Sequence, residues 1–364
     1  MTRTPSVSRR GFLATTAAVA TGFAAPAIIK AGSRVQEKDV VVGEGDYRFK
    51  VTHNYPQLPD KYKWQTTHNV GVDSQNNLYV IHEGLTDQKD HPSIFVFGPE
   101  GKFIRAFGEQ FQGGGHGIEV RKEGSEEFLY VCAYQGVKVF AKMTLKGNTV
   151  WQKFAPMESG VYADREDIRR EKVWGRDRFM PTNYAFLPGG DFLLADGYGS
   201  FFIHRFDKNL NWKSKFGGPG DGEGTFNTPH GVWLDDRPGR KPSVVVCDRA
   251  HHTLQYFTLD GKYIETIKGF GLPANCDTYK NLLLVPELHA RVTLLDEKNK
   301  PVARLGDDAE RIKGQGNKNI RGNQKLWNDG RFVHPHDACF DKEGNIFVAE
   351  WVQTGRVTKL TRVS

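Results

Sequence analysis

Four histidines occupy the same place in a repeated local pattern, and imidazole is a side chain that binds metals. His68, His230 and His336 each precede an alternating strand-like run with an Asp five residues on, and His116 opens a weaker copy. Three imidazoles that converge on one metal leave coordination positions open, which is how catalytic zinc is often held. Imidazole alone is not selective, because iron and copper accept the same donors.

The elements that must position these histidines are repeats of a four-strand unit. Apolar and polar residues alternate along each run, which predicts strands, and Asp-Gly or Glu-Gly pairs between runs predict hairpins. The copies start at positions 68, 116, 183, 230, 275 and 336. Four strands per unit at this spacing are typical of propellers. The sequence therefore predicts an all-β fold, a six-bladed β-propeller with four-stranded blades over residues 67–364.

Repeat equivalence places one residue at the start of the innermost strand of every blade. Blades two, four and six present His116, His230 and His336 there, at about 120° intervals around one axis in a radial repeat. We interpret these three as a metal site; the alternative is that they bond neighbouring carbonyls and line a wet channel. Gly117 and Gly231 follow two of them and permit close backbone approach. The full set of equivalent positions is His68, His116, Asn183, His230, Asn275 and His336.

Outside the repeats, the first 32 residues are predicted to be a twin-arginine signal peptide. Ser8-Arg9-Arg10-Gly11-Phe12-Leu13 leads into a weakly apolar run ending at Ile29. The alternative is a short membrane anchor. The signal predicts a bacterial protein that is periplasmic or extracellular. Residues 33–66 are predicted to form an N-terminal segment with a ring-closing strand, and residues 155–181 and 306–333 to be insertions before blades three and six.

The charge and the residue composition limit the classes of partner that the protein is expected to bind. The formal net charge is +7, and four of these seven charges lie in the first 32 residues, leaving +3. Acidic and basic residues are interleaved, which is typical of a solvated surface and argues against nucleic acid as a partner. The partner that we expect is a small-molecule or peptide substrate. No later segment is long and apolar enough to span a membrane. The four cysteines lie in apolar runs without CxxC spacing, so we expect buried core residues and neither a disulfide nor a thiolate metal site.

The repeats resemble NHL repeats, and residues 64–364 resemble the peptidyl-α-hydroxyglycine α-amidating lyase, the lyase unit of peptidylglycine amidation enzymes. Three stretches carry the resemblance: Pro229-His-Gly-Val-Trp-Leu with Val-Cys-Asp248-Arg249, Leu-Ala-Asp196-Gly197-Tyr198, and Pro335-His336-Asp337-Ala with Ile-Phe-Val-Ala. The resemblance implies a six-bladed zinc enzyme.

Matched motif by motif, the family's functional residues fall on named positions of this chain. The resemblance implies zinc ligands at His116, His230 and His336, a tyrosine acting at the substrate hydroxyl at Tyr198, and a calcium ligand at Asp337. From the residues alone, Tyr198 lies in a loop after a strand end, where functional side chains concentrate, and the alternative is a packing aromatic.

The chain departs from the family at three places. The family's His-Arg-Gly motif is His82-Glu83-Gly84 here, which reverses the charge of a group needed for catalysis. His334 stands where the family has a methionine, and the cysteine that follows the family's Asp-Gly-Tyr is absent. Glu83 implies a different substrate, without a carboxylate at that end. His68, His334 and Glu83 are candidates for outer residues that orient the ligands, and either histidine is alternatively a channel-facing residue.

Two functions remain open from the sequence. The first is a metal-dependent, lyase-like enzyme that cleaves a carbinolamide-type carbon–nitrogen bond, with Tyr198 as general base or orienting group. The second is a non-catalytic propeller that binds a protein or cell-envelope ligand, with structural histidines. Fold alone does not choose between them, because function lies in the site.

Overall fold

Residues 39–314 and 319–363 are described by a computed structural model of the chain. Six antiparallel sheets form the six blades. The first strand of each blade lies nearest the propeller axis. The prediction of an all-β, six-bladed propeller with four strands per blade is confirmed. The predicted signal peptide lies outside the described residues.

The first three blades are regular four-stranded meanders. Their strands pair in sequence order, so each blade is built from three successive hairpins. Blade 1 has strands Thr67–Val72, Leu78–His82, Ile94–Phe97 and Phe103–Phe107; blade 2 has Gly115–Glu123, Glu126–Ala133, Val139–Thr144 and Thr149–Lys153; blade 3 has Asn183–Phe186, Phe192–Ala195, Phe202–Phe206 and Trp212–Gly217.

Blades 4 and 5 repeat the plan, and blade 6 joins the two ends of the described chain. Phe49–Thr52 pairs antiparallel with Arg356–Arg362, and Val41–Val42 adds an outer strand. This pairing closes the ring. Blade 4 has Pro229–Asp235, Ser243–Asp248, Thr253–Phe257 and Tyr263–Lys268; blade 5 has Asp277–Tyr279, Leu282–Glu287, Arg291–Leu295 and Pro301–Leu305; blade 6 begins with Pro335–Phe340 and Ile346–Glu350.

Helical structure is confined to short connections. The one α-helix among the described residues is Ala309–Gly314, in the segment before blade 6. Turns of 3₁₀ helix occur at Glu109–Phe111, Met157–Ser159, Arg249–His251 and Gln324–Leu326. Within residues 39–314 and 319–363, no helix has the length and apolarity needed to cross a membrane.

The core lies between neighbouring blades. Ile81 and Val131 belong to the cluster between blades 1 and 2, and Leu284 and Val348 to the cluster between blades 5 and 6. Burying such a side chain contributes about 1.5–3 kcal/mol. Alternate residues of a strand face opposite neighbours, so both faces of each blade are apolar, and the inner strands are held firmly around the axis.

The cysteines behave as core residues. Cys132, Cys247 and Cys276 are buried, Cys339 is partly buried, and all four are free thiols. Cys247 and Cys276 come within 3.4 Å through their Sγ atoms, well beyond the length of a disulfide bond.

Candidate metal centre at the propeller axis

Four histidine rings meet at the axis, at the starts of the inner strands. His116 has its ring centre 4.7 Å from that of His68, 4.8 Å from that of His230 and 5.0 Å from that of His336. His336 lies 4.5 Å from His68 and 4.6 Å from His230. All four rings are at most 2% exposed. The structure thus brings the three predicted ligands together and adds His68 to them.

Three of these rings are braced in the same way. The Nδ1 of each ring on blades 2, 4 and 6 faces a backbone carbonyl within three residues of the start of the following blade's inner strand. An Nδ1–H donated to a carbonyl leaves the lone pair on Nε2, which is the arrangement of a metal-binding histidine. The contacts are His116 Nδ1 to Thr182 O at 2.8 Å, His230 Nδ1 to Ala274 O at 2.6 Å and His336 Nδ1 to His68 O at 3.1 Å.

Among the described residues, the Nε2 atoms of His116 and His336 have no satisfactory hydrogen-bond partner. His116 Nε2 and His230 Nε2 lie 3.1 Å apart. If the Nδ1 atoms of both rings carry protons, the two Nε2 lone pairs face each other. If one ring instead carries its proton on Nε2, the lone pair on its Nδ1 faces the backbone carbonyl oxygen. His336 Nε2 is buried without any hydrogen-bond partner among the described residues. A cation between the nitrogens removes the conflict, and zinc with bonds of about 2.0–2.1 Å would hold two nitrogens ~3.3 Å apart.

Burial keeps these imidazoles neutral. It lowers the pKa of His116, His230 and His336 well below the usual value of 6.5, and the neighbouring charged and imidazole groups lower it further. Burial also lowers the pKa of His68, although Glu83 raises it. Neutral imidazole is the form that ligates a metal. The donors are therefore in the right protonation state at neutral pH.

A recurring carboxylate positions the approach to each inner strand. Asp196 directly follows the second strand of blade 3, and Asp248 and Glu350 end the second strands of blades 4 and 6. Each accepts the backbone N–H three residues before the axial position of its blade, which is Asn183, His230 or His336. The contacts are Met180 N to Asp196 Oδ1 at 2.6 Å, Asn227 N to Asp248 Oδ1 at 2.8 Å and Val333 N to Glu350 Oε1 at 2.7 Å.

Tyr198 lies directly against the cluster. Its hydroxyl is 3.0 Å from His230 Nε2, and Arg249 Nη1 donates to the same hydroxyl at 3.0 Å. The ring packs edge-on against His116 at 5.4 Å. Burial raises the pKa of Tyr198, while the Arg249 guanidinium lowers it and so offsets part of the effect. The predicted catalytic tyrosine is thus placed within hydrogen-bond reach of the predicted ligand His230.

Glu83 faces the cluster from the side of blade 1. Its Oε2 is 3.5 Å from His68 Nε2, longer than a well-formed hydrogen bond, and its Oε1 accepts from Gln135 Nε2. Burial raises the pKa of Glu83, but His68, Tyr134 and Gln135 outweigh burial, so the net pKa is lowered. Glu83 is therefore a fixed carboxylate anion at neutral pH.

An open cavity leads to Glu83. It has a volume of about 660 Å³ and is lined by residues including Trp64, Glu83 and His91. The larger pocket between blades 4 and 5, around Tyr256 and Ile264, contains none of the predicted site residues. Because the first cavity shares Glu83 with the histidine cluster, it is the better route for a ligand.

Both insertions reach the rim of this site. Trp174, from the insertion before blade 3, is 52% exposed, and its ring lies 5.7 Å from that of Tyr198. Arg321, from the insertion before blade 6, donates from Nε to Trp351 O at 3.0 Å and stacks on the Trp351 ring. Burial lowers the pKa of Arg321, while Glu83, Tyr134 and Tyr198 raise it. The rim therefore combines an aromatic surface with positive charge.

A second, acidic cavity of about 160 Å³ lies further along the inner strands. It is lined by Glu119, Asp277 and Asp337. Asp337 Oδ2 accepts Val70 N at 2.9 Å, and its Oδ1 accepts Asn275 Nδ2 at 2.7 Å. Burial raises the pKa of Asp337 to about 8 and that of Asp277 to about 7, and it raises that of Glu119 well above its usual range. Clustered carboxylates are the donors that calcium prefers.

The sequence indicates some of the residues around the cluster and gives no sign of others. His334, a candidate orienting residue, places its Nδ1 against Leu288 O at 2.7 Å and its ring near Trp351, beside the cluster and outside it. Arg249 was visible, since it follows Asp248 in a motif that carried the resemblance. Trp174 and Arg321 lie in insertions without periodicity, and nothing in their spacing indicates that they reach the axis.

No protein-family model matches the chain. Several solved structures share its fold. A virginiamycin B lyase from Staphylococcus aureus has 12% sequence identity and a TM-score of 0.53, with 86% of this chain and 100% of that chain covered. A gluconolactonase from Xanthomonas campestris has 11% identity and a TM-score of 0.54, with 89% and 96% covered. A protein of unknown function from Bacteroides thetaiotaomicron has 12% identity and a TM-score of 0.55, with 89% and 76% covered.

Fold and site together define a class. The chain is a six-bladed β-propeller with a buried cluster of histidines at its axis, similar in fold to propeller lyases and lactonases. At 11–12% identity the likeness concerns the fold alone, and the reaction must be argued from the site.

Proposed function

We propose that this chain is a metal-dependent, lyase-like enzyme whose metal is held at the propeller axis. One observation carries the proposal: the Nδ1 atoms of His116, His230 and His336 all face carbonyls, so that three neutral Nε2 lone pairs are buried. A structural histidine needs a partner for each buried nitrogen, because an unsatisfied buried polar atom costs about 1–3 kcal/mol. Among the described residues, His336 Nε2 has no hydrogen-bond partner and His116 Nε2 faces only the Nε2 of His230, which also lies near the Tyr198 hydroxyl. A bound cation would supply the partner that His116 and His336 lack.

Zinc is the metal that the resemblance to the amidating lyase implies for this site, and iron or copper also suits imidazole donors. A metal held there would act as a Lewis acid toward a substrate hydroxyl or carbonyl. Calcium is proposed at Asp337, where Glu119 and Asp277 contribute further carboxylates. In that cavity a divalent cation would let the carboxyls ionise at neutral pH despite burial.

Tyr198 is proposed as the general base. A substrate hydroxyl next to His230 Nε2 would lie within hydrogen-bond reach of the Tyr198 hydroxyl, which is 3.0 Å from that nitrogen. Arg249 favours the phenolate form of Tyr198 through charge and through its hydrogen bond at 3.0 Å. Burial still leaves the pKa of Tyr198 raised, so a metal cation held beside it would have to stabilise the phenolate further before Tyr198 could accept a proton and return it.

The proposed reaction is the cleavage of a carbinolamide-type carbon–nitrogen bond. Tyr198 removes the hydroxyl proton, the carbon–oxygen bond becomes a carbonyl, the carbon–nitrogen bond breaks, and the nitrogen receives the proton. One carbinolamide yields one amide and one aldehyde, with no oxidant or reductant. Trp174 and Arg321 at the rim supply an aromatic surface and a positive charge for the rest of the substrate.

The positive rim modifies the expectation drawn from Glu83. Glu83 itself cannot pair with a substrate carboxylate, but Arg321 and Arg249 bring two guanidiniums to the same region. An anionic substrate group is therefore compatible with the site when it faces blades 4 and 6 and not blade 1. The assay panel should contain matched substrates with and without a carboxylate.

The test is metal content together with turnover. The purified chain is analysed by inductively coupled plasma mass spectrometry and assayed with α-hydroxyglycine peptides, uncharged N-acyl carbinolamides and lactones. We expect close to one transition-metal equivalent, lost in His116→Ala and His230→Ala, and turnover of one carbinolamide class. Less than about a tenth of an equivalent, unaltered by the substitutions, would leave the non-catalytic binding propeller as the remaining function. Full metal loading without turnover of any panel member would refute the lyase reaction alone.

We further propose export through the twin-arginine route to the periplasm or beyond, in the folded state. The support is the Ser8-Arg9-Arg10-Gly11-Phe12-Leu13 motif. Replacing Arg9 and Arg10 together by Lys should retain the protein in the cytoplasm of an expressing bacterium. Unchanged export of that variant, measured by cell fractionation, would contradict the proposal.

A further inference from the structure

We propose that His68 is a fourth ligand of the axial metal, and that Glu83 is the carboxylate that orients it. This inference rests on the proposed function, since it concerns the same metal. It assigns a role to Glu83, which stands where the amidating-lyase resemblance implies an arginine, and to His68, for which that resemblance implies no role.

The placement of His68 is that of a ligand. One ring nitrogen from each of His68, His116 and His336 lies within 4.8 Å of the other two. The His68 ring is 1% exposed, and its contacts with His116 and His336 are as close as those that His230 makes with the same two rings. The four rings therefore form a rhombus, with His68 and His230 at opposite corners.

The hydrogen bonding of His68 differs from that of the other three histidines. Its Nδ1 and Nε2 are both buried without a hydrogen-bond partner among the described residues. The nearest anionic group is Glu83, whose Oε2 lies 3.5 Å from Nε2. A small movement of Glu83 would make this a hydrogen bond from Nε2–H, and the lone pair would then lie on Nδ1. Histidine ligands commonly donate their second N–H to a carboxylate in this way.

Glu83 is held in place for this role. Gln135 Nε2 donates to its Oε1, which leaves Oε2 directed at His68. An arginine at this position would present only donors and a positive charge to the His68 ring, and could not accept its N–H. The glutamate at this position and a histidine at position 68 are therefore two parts of one arrangement.

A fourth imidazole changes which metal suits the site. Four histidines would fill the tetrahedral shell of zinc and leave no position for substrate. A metal that accepts five or six ligands keeps one or two positions open with the same four donors, and iron, nickel and copper all accept imidazole. The four-histidine set therefore favours a metal of higher coordination number over zinc.

The test measures metal binding and not activity. Metal-free full-length protein is titrated with Co²⁺ and Zn²⁺ against a chelating dye, and the visible spectrum of the Co²⁺ form is recorded. The variants are His68→Gln and Glu83→Gln, with His252→Asn as matched control. His252 is an exposed histidine at φ +61°, a conformation that asparagine tolerates, so this control also reports adventitious binding to surface imidazole.

We expect His68→Gln and Glu83→Gln each to weaken metal binding about 10–100-fold, and His252→Asn to leave it unchanged. In Glu83→Gln the amide oxygen can still accept from Gln135, so the amide N–H₂ faces His68 Nε2. His68 must then carry its proton on Nδ1, the nitrogen that would otherwise bind the metal. The Co²⁺ absorption should be weak in the unsubstituted protein and stronger in His68→Gln, because four-coordinate cobalt absorbs more strongly than five- or six-coordinate cobalt.

Wild-type affinity and an unchanged Co²⁺ spectrum in both variants, with binding abolished by His116→Ala, would overturn this inference and leave a three-histidine site. A fall in turnover in Glu83→Gln without a change in affinity would place Glu83 on the substrate and overturn its assigned role. If His68→Gln does not fold, the isosteric Glu83→Gln variant decides the question. Absence of binding in the unsubstituted protein would instead refute the proposed function.

Discussion

Gly117→Ala tests how the fold aims the histidine ligands. An alanine Cβ at this position would lie 2.4 Å from Thr182 O and 2.6 Å from Cys132 Sγ, closer than the 3.0 Å that real Cβ contacts respect. Thr182 O is the atom that receives the Nδ1–H of His116. Relief of the clash must therefore move the acceptor that orients this ligand.

The magnitude follows from two separate effects. Overpacking of this kind costs about 1–3 kcal/mol of unfolding free energy. Disturbing the partner of a metal-binding histidine weakens metal affinity about 10–100-fold. Gly231→Ala should behave alike, because its Cβ would lie 2.7 Å from Ala274 O, the acceptor of His230.

The assay is urea unfolding of the metal-free protein and competition for Zn²⁺ with a chelating dye. Gly222→Ala is the matched control, since its Cβ would come no nearer than 3.8 Å to Thr225 Oγ1 and its backbone lies outside the left-handed region. If Gly117→Ala matches Gly222→Ala in both stability and affinity, the carbonyl brace of His116 has no role in holding a metal, and this reasoning is refuted.

Three further predictions concern the residues around the axis. Tyr198→Phe should lower kcat about 10²–10⁴-fold with metal affinity unchanged, measured by steady-state kinetics and dye competition; an unaltered kcat excludes Tyr198 as base. Burial raises the pKa of Asp277 to about 7, so the folded protein holds this proton more tightly than the unfolded chain does. In EDTA, which removes bound cations, the resulting contribution to the free energy of unfolding is fully present below pH 4 and is lost as the pH rises through 7. The free energy of unfolding should fall between pH 5 and pH 8 by about 3 kcal/mol at most, because about two pKa units of the shift lie above pH 5, and the fall should be smaller in Asp277→Asn; equal falls in the two proteins would contradict this. Added Ca²⁺ should raise the Tm at pH 8 in the unsubstituted chain and not in Asp337→Asn; equal shifts would exclude Asp337 as a ligand.

The repeat pattern predicts the fold and the depth of the axial residues for a physical reason. Radial repetition forces equivalent positions to equivalent radii, so the alternating inner-strand histidines had to meet. The distance between His116 and His230, and the carbonyls that brace them, depend on how neighbouring blades pack and are not encoded in the spacing.

Residues in irregular segments were less predictable. Arg321 and Trp174 reach the rim from insertions whose paths are set by tertiary contacts, such as the stacking of Arg321 on Trp351. In the sequence, Glu83 is visible as a charge reversal relative to the family, and that reversal predicts a different substrate. Its proximity to His68 appears only when blade 1 is folded, because Thr67 pairs with His82 and so brings Glu83 beside the bulge that contains His68.

The central claim is that the axial histidines hold a metal ion. Anomalous diffraction from crystals of the purified chain, collected on both sides of the absorption edge of the metal that elemental analysis finds, tests this directly. The account predicts one anomalous peak at bonding distance, about 2.0–2.3 Å, from the Nε2 atoms of His116, His230 and His336. A metal-replete crystal whose anomalous peak lies elsewhere, with the axial nitrogens contacting only water or one another, would contradict it.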